Sequence, residues 1–416
     1  MIQSIKHLRV NGDRLWNSIM AIAEIGPGQH GGSSRLALTE QDRQARDLFV
    51  EWCQAESCSI SVDDMGNIFA RRSGTDIAKP PICAGSHLDT QPHGGRFDGI
   101  YGVLAALEVV RTLNENAIKT KAPIEIVDWT NEEGSRFAPA MIASGVYSGL
   151  FSKQYAWSQQ DSAGISLHDA LKGIGYLGQE PCGERQLGAL FEAHIEQGPI
   201  LEKAEDQIGI VTGGQGVKWF DVTVSGQDSH SGTTPMSNRK DALLAASEIV
   251  GMLNRLALDH SPHALATVGC LDVSPGSRNT IPGSVCFSVD LRHPEDDELD
   301  KLEQAMRKSL DNVSRKHDMD IHLDPIWHNP PVRFDPECID AVCQATEQLG
   351  LKAQKMISGA GHDACQVCRV LPTAMIFVPC LDGLSHNEAE YATPEDLEAG
   401  CNVLLHAMLK VAGVDA

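Results

Sequence analysis

Between Gly85 and Val110 the chain reads GSHLDTQPHGGRFDGIYGVLAALEVV. His87, Asp89, His93 and Asp98, all able to bind a metal or move a proton, stand directly before an apolar run. Similar chemistry recurs in Glu132 and Glu133 of WTNEEG, His194 of HIEQG and His386 of SHNEAE. Singly, each has an ordinary explanation. A lone histidine is more often a satisfied structural or surface side chain than a ligand, and paired glutamates here would ordinarily be a solvated strand end. Position changes that reading. His87, Glu133, His194 and His386 follow apolar, strand-like runs, and Asp98 sits directly ahead of a helical one. If those strands lie side by side, three histidines and two carboxylates converge at one sheet edge. A mixed nitrogen and oxygen set suits Zn²⁺, and Mn²⁺ or Co²⁺ can also use it. Five ligands are too many for one catalytic zinc and suit two metals sharing a bridging carboxylate. Of the two adjacent glutamates, one then binds metal. Its neighbour acts as general base on a metal-bound water whose pKa falls toward about 7, and later hands the proton to a leaving nitrogen.

The flanking pattern says what must position these groups. Residues 8–26 and 40–57 have helical periodicity. PPICAGSHLD reads as a buried strand ending in a polar turn, 99–115 as a helix, and 122–134 as the next strand. That rhythm predicts an α/β fold with a mixed, largely parallel sheet flanked by helices. In such sheets ligands sit beyond the carboxyl ends of the strands. The pattern changes near residue 214. From there to 326 the order is β-α-β-β-α-β, that of a ferredoxin-like α+β unit. The chain then resumes with a strand at 372–379 and a helix at 394–412. The expected organisation is a discontinuous catalytic domain, 1–213 and 327–416, interrupted by an inserted domain, 214–326.

Bulk properties narrow the function. A chain of 416 residues is too long for one ordinary core, and 42% hydrophobic with 22% charged residues fits a soluble globular protein. The net charge of -22 argues against nucleic acid and anionic membranes as partners. It also means that an anionic substrate needs a local basic pocket. No apolar run has signal-peptide or transmembrane character. The twelve scattered cysteines read as reduced thiols of a cytoplasmic protein, and the pair Cys365 and Cys368 has no second pair at zinc-ribbon spacing.

Taken together, GSHLDTQPHGGRFDGIYGVLAALEVV, WTNEEGSRFAPAMIASG, FEAHIEQGPILE, SHSGTTPMSNRKDA, SRNTIPG, SGAGHDA and SHNEAE resemble the carbamoylase branch of the dinuclear-zinc aminoacylase/carboxypeptidase superfamily. That branch holds N-carbamoyl-L-amino-acid hydrolases, β-alanine synthase and allantoate amidohydrolases. The motifs span about residues 83 to 395. The resemblance implies two divalent metals per subunit, zinc foremost, with manganese, cobalt or nickel as alternatives. His87, Asp98 and His194 would hold one; Asp98, Glu133 and His386 would hold the other. Glu132 would be the general base, with Asp89 orienting the metal site. Gln197, His362 and, in the hinge-like GGQG, Gln215 would contact substrate. From the inserted domain, which in this family is both lid and homodimer contact, His230 would stabilise the oxyanion. Asn279 and Arg292 would grip the substrate carboxylate, giving the acidic protein its cationic pocket. Ser229 and Ser231 stand beside His230 where many relatives have alanine.

The implied reaction is hydrolysis of the ureido C–N bond of an N-carbamoyl amino acid to amino acid, carbon dioxide and ammonia. Allantoate or ureidoglycolate is the alternative small-molecule substrate. An aminoacylase or dipeptidase of the same superfamily is a rival, against which His194 argues, because a carboxylate is usual there in the peptidase branch. GAGHDA at 359–364 matches a dinucleotide-binding fingerprint, but it lies late in the chain without a convincing βαβ unit around it. The intact Glu132 and full ligand set argue against an inactive binding protein.

Overall fold

The apolar runs around the candidate ligands become strands. Ile82–His87 and Ile124–Trp129 are buried at every residue and pair in parallel, His87 standing opposite Trp129. Ala189–Ile195 lies parallel on the other side of Ile82–His87, and Thr373–Val378 lies parallel beyond that. These four form the centre of a nine-stranded sheet. Strands covered on both faces read as continuous apolar runs, which is how these read in the sequence. Antiparallel strands flank the centre: Ile68–Arg72 and Ser59–Val62 on one side, Ile208–Gly214 on the other. The computed structural model describes residues 6–415.

The helix Ile100–Glu115 is buried from Ile100 to Leu113. A helix that deep carries Glu108 only because the charge is met: its carboxylate accepts the Asn11 amide at 3.0 Å and Arg14 Nε at 2.8 Å. The expected helices over 8–26 and 40–57 are narrower, Gly12–Ala23 and Glu40–Ala55. Asn11 and Thr39 set their starts by capping the amides of Arg14 and Asp42. The strand expected over 122–134 stops at Trp129. The chain then turns through Asn131 and Gly134, both with positive φ, so Glu132 and Glu133 stand in a turn rather than on the strand.

The molecule divides into two units. One runs to Gly213 and resumes at Arg333; the other spans Gly214–Val332. The second unit orders its elements Gly216–Ser225, Ala242–Asp259, Leu265–Thr267 with Leu271–Ser274, Ser284–His293, Asp296–His317 and Asp320–Asn329. Across its sheet the order is Leu271–Ser274, Ser284–His293, Gly216–Ser225, Asp320–Asn329, every neighbour antiparallel. Val222, Phe287 and Leu291 of one face pack with Ile249, Leu302 and Met306 of the two helices. The unit ends six residues beyond the expected 326, because its last strand continues to Asn329. No helix among the described residues is long and apolar enough to cross a membrane. All twelve cysteines are free.

Candidate metal centre

His87 is the last residue of its strand and His194 the last but one of the neighbouring parallel strand, which sets their rings 6.1 Å apart. Asp98 enters between them just ahead of the buried helix. Gly99, which caps that helix with φ 72°, lies so close to His87 that a Cβ there would come within 2.3 Å of the ring. Asp98 Oδ1 is 3.1 Å from His194 Nε2 and 3.6 Å from His87 Nε2. Its other oxygen, Oδ2, is 3.6 Å from His386 Nε2, which in turn is 3.5 Å from Glu133 Oε2. Two groups able to hold a metal result, His87–Asp98–His194 and Asp98–Glu133–His386, joined through Asp98. His386 is the outward-facing member, its side chain 52% exposed.

Neighbours fix each member. His87 Nδ1 lies 2.9 Å from the Asp89 carbonyl, and His194 Nδ1 2.9 Å from the Ile195 carbonyl. Donation to those carbonyls leaves a lone pair on each Nε2, and that of His194 accepts the Gly99 amide at 3.0 Å. The Asp89 carboxylate serves a different purpose: it accepts the amides of Glu132 at 3.2 Å and Glu133 at 3.3 Å, anchoring the turn that carries both acids. Asp89 therefore orients the ring through its backbone and the glutamates through its side chain. Gln91 holds Glu133 with its amide at 3.0 Å and its Nε2 at 2.7 Å. Gln197 Nε2 donates to Asp98 Oδ2 at 2.7 Å.

The electrostatics are those of a pocket short of positive charge. Burial pushes Glu132 well above the ordinary carboxylate range and Glu133 up to about 8, with neighbouring acids adding to both. Burial works against a charge on His87 and His194, yet the surrounding carboxylates outweigh it and raise both. Asp98, though buried, is held well below its usual range by those two rings. His87 Nε2 is buried and has no hydrogen-bond partner among the described residues. An orphaned imidazole nitrogen among excess carboxylates fits a divalent cation. Glu132 Oε2 lies 3.5 Å from His87 Nε2 yet belongs to neither of these metal groups, whereas Glu133 belongs to one.

The sequence pattern of Peptidase family M20/M25/M40 matches residues 83–410. The chain belongs to this family. The N-carbamoyl-L-amino-acid amidohydrolase of Rhizobium meliloti is 47% identical over 98% of both chains. The allantoate amidohydrolase of Bacillus subtilis is 35% identical over 94% of this chain and 95% of its own. Among solved structures, a hydantoinase/carbamoylase family amidase from Burkholderia multivorans superposes with TM-score 0.94. It is 52% identical over 98% of this chain and 99% of its own. The protein is thus a hydrolase of the M20 family's carbamoylase branch.

Several members of this hydrolase's site escaped the sequence reading. Glu192 is one: with His194 and His362, the latter expected as a substrate contact, it forms a third group able to hold a metal. Glu192 is fully buried and takes the Ser86 hydroxyl at 2.7 Å and the Ala364 amide at 2.9 Å. Its signal was present: two residues before His194 on a strand, it must share that face. His362 is buried, its ring 4.5 Å from that of His194, and burial drives its pKa well down. Glu390 Oε1 accepts the amides of Phe97 and Asp98 at 3.1 Å, and Ser385 Oγ lies 2.9 Å from Asp98 Oδ2. His93, from the opening motif, is 80% exposed and turns to Glu388 instead. In the inserted unit, His230 Nδ1 accepts the amides of Gly232 and Thr233, Asn279 Oδ1 accepts from Ser277, and Arg292 pairs with Asp290. Gln215 lies between the strands Ile208–Gly214 and Gly216–Ser225.

Proposed function

We propose that the protein is an amidohydrolase that cleaves the ureido C–N bond of an N-carbamoyl amino acid, giving the free amino acid, carbon dioxide and ammonia. The observation that carries this reading is the shared aspartate. Asp98 turns one oxygen to His87 and His194 and the other to His386, with Glu132 beside the cluster but outside both groups. The name of the 47% identical relative points to the same substrate class. His87, Asp98 and His194 would hold one divalent cation, and Asp98, Glu133 and His386 a second. Zn²⁺ suits the set best, with Mn²⁺, Co²⁺ or Ni²⁺ as alternatives. When bound, such ions lower the pKa of water and polarise the carbonyl to be attacked.

Glu132 takes the proton of the attacking water and delivers it to the departing nitrogen. Its buried setting suits a group that must hold that proton between the two steps. Asp89 keeps Glu132 in place through its amide. Gln197, His362 and Gln215 are assigned to substrate contacts, Arg292 and Asn279 to the substrate carboxylate, and His230 to the charge developing on the carbonyl oxygen. The inserted unit is assigned the contact that joins two copies, which sedimentation of the purified protein would read as a dimer.

The test is ammonia release by the metal-loaded protein from N-carbamoyl-β-alanine, N-carbamoyl-L-amino acids, allantoate and N-acetyl-L-amino acids. Release from an N-carbamoyl amino acid, abolished by a chelator, is the expected result. Release from allantoate alone would move the protein beside its Bacillus subtilis relative. Activity confined to the N-acetyl compounds would overturn the ureido reading.

A further inference from the structure

The open face of the inserted sheet carries one ordered row of side chains. Trp327, Trp219 and Asp290 stand directly opposite one another on three adjacent strands. The two indoles lie 4.9 Å apart. Trp219 Nε1 donates to Asp290 Oδ2 at 2.9 Å. Two residues further along its strand, and so on the same face, Arg292 closes the row. Its Nε donates to Asp290 Oδ1 at 3.0 Å and its Nη2 to Asp290 Oδ2 at 2.9 Å, a bidentate pair.

We infer that Asp290, braced by the indole N–H of Trp219, is the positioning residue that aims Arg292 at the substrate carboxylate. This rests on the reading of Arg292 as the carboxylate-binding group. An arginine side chain is long and samples many rotamers, and ordering it on binding weakens binding. Asp290 takes the Nε–Nη2 edge of the guanidinium in advance, so the plane is fixed before substrate arrives. An ordinary surface ion pair contributes little and needs no support. This one has support: Asp290 is itself held from the next strand by an indole whose ring is packed against a second indole. A bidentate carboxylate also admits the opposite role, competition with substrate for Arg292. The two roles predict opposite changes in KM.

The experiment is steady-state kinetics of metal-loaded variants on whichever of N-carbamoyl-L-alanine, N-carbamoyl-β-alanine and allantoate the wild type hydrolyses. Asp290→Ala should raise KM about ten-fold while kcat changes little, the signature of lost uniform binding. Asp290→Asn, which keeps one acceptor, should fall between. Trp219→Phe, which keeps the ring packing but removes the N–H, should raise KM by a smaller factor. Combined with Arg292→Ala, Asp290→Ala should add nothing, because it acts through Arg292. If Arg292→Ala raises KM but Asp290→Ala leaves it unchanged, the clamp is overturned. A lowered KM in Asp290→Ala makes Asp290 a competitor and overturns it equally. If Arg292→Ala itself leaves KM unchanged, the carboxylate reading fails and the clamp falls with it.

Discussion

Glu132 and Glu133 are neighbours with the same side chain, yet their surroundings separate them. Glu133 is gripped at both oxygens by Gln91 and faces His386. Glu132 is buried, near His87, and outside both metal groups. A group so placed can exchange a proton without giving up a ligand. Glu132→Gln should therefore retain both metal equivalents while kcat falls by about 10²–10⁴, the usual range for removing a general acid–base. Metal analysis alongside turnover checks this. Loss of a metal equivalent in that variant would make Glu132 a ligand and leave the proton-moving role without an owner.

At the scale of elements, the site depends on how closely the buried helix Ile100–Glu115 approaches the strand Ile82–His87. Gly99 makes the junction, with a positive φ that L side chains rarely adopt and no room for a Cβ beside His87. Gly99→Ala should push the His87 ring aside and cost the protein one metal equivalent, measured by metal content after dialysis; full occupancy would show that the helix yields instead. The same scale explains what could be read beforehand. His87 and His194 were legible because strand-end position is written in the apolar runs before them. Asp98 was legible because a helix start follows it. His386 stands eight residues past Val378, the end of its preceding strand, so the intervening loop, not a strand, delivers it. The turn at Asn131 was likewise invisible, and the strand was expected to continue through both glutamates. Glu192 was passed over because a single acid within a strand normally marks a solvated position; only the tertiary fold shows it buried against Ser86 and Ala364.

At the scale of the whole molecule, the protein combines a strongly acidic composition with a central cluster of buried carboxylates. Bound cations are the natural counter-charge, so removing them should loosen the unit built on the nine-stranded sheet. Chelation should lower the thermal midpoint, and re-addition of the metal at about 1,000 times its Kd should restore about 4 kcal/mol. Loading should also release protons. Burial holds Glu133 up to about 8, so below that pH the empty site keeps a proton that an arriving cation displaces. Affinity should rise with pH as Glu133 and the two raised imidazoles give up their protons. Calorimetric titrations in two buffers of different ionisation heat would differ if protons leave; identical heats would contradict the expected release.

One topological detail reaches beyond chemistry. The chain departs for the inserted unit from the strand Ile208–Gly214 and comes back on Val332–Arg333, and these two strands are hydrogen-bonded neighbours in the same sheet. The points of departure and return are thus separated by about one interstrand spacing, roughly 5 Å, a gap a short hairpin turn can bridge. The whole insertion is in effect an oversized hairpin loop. Recombination could lengthen, exchange or delete it as a cassette while the nine-stranded sheet kept its register.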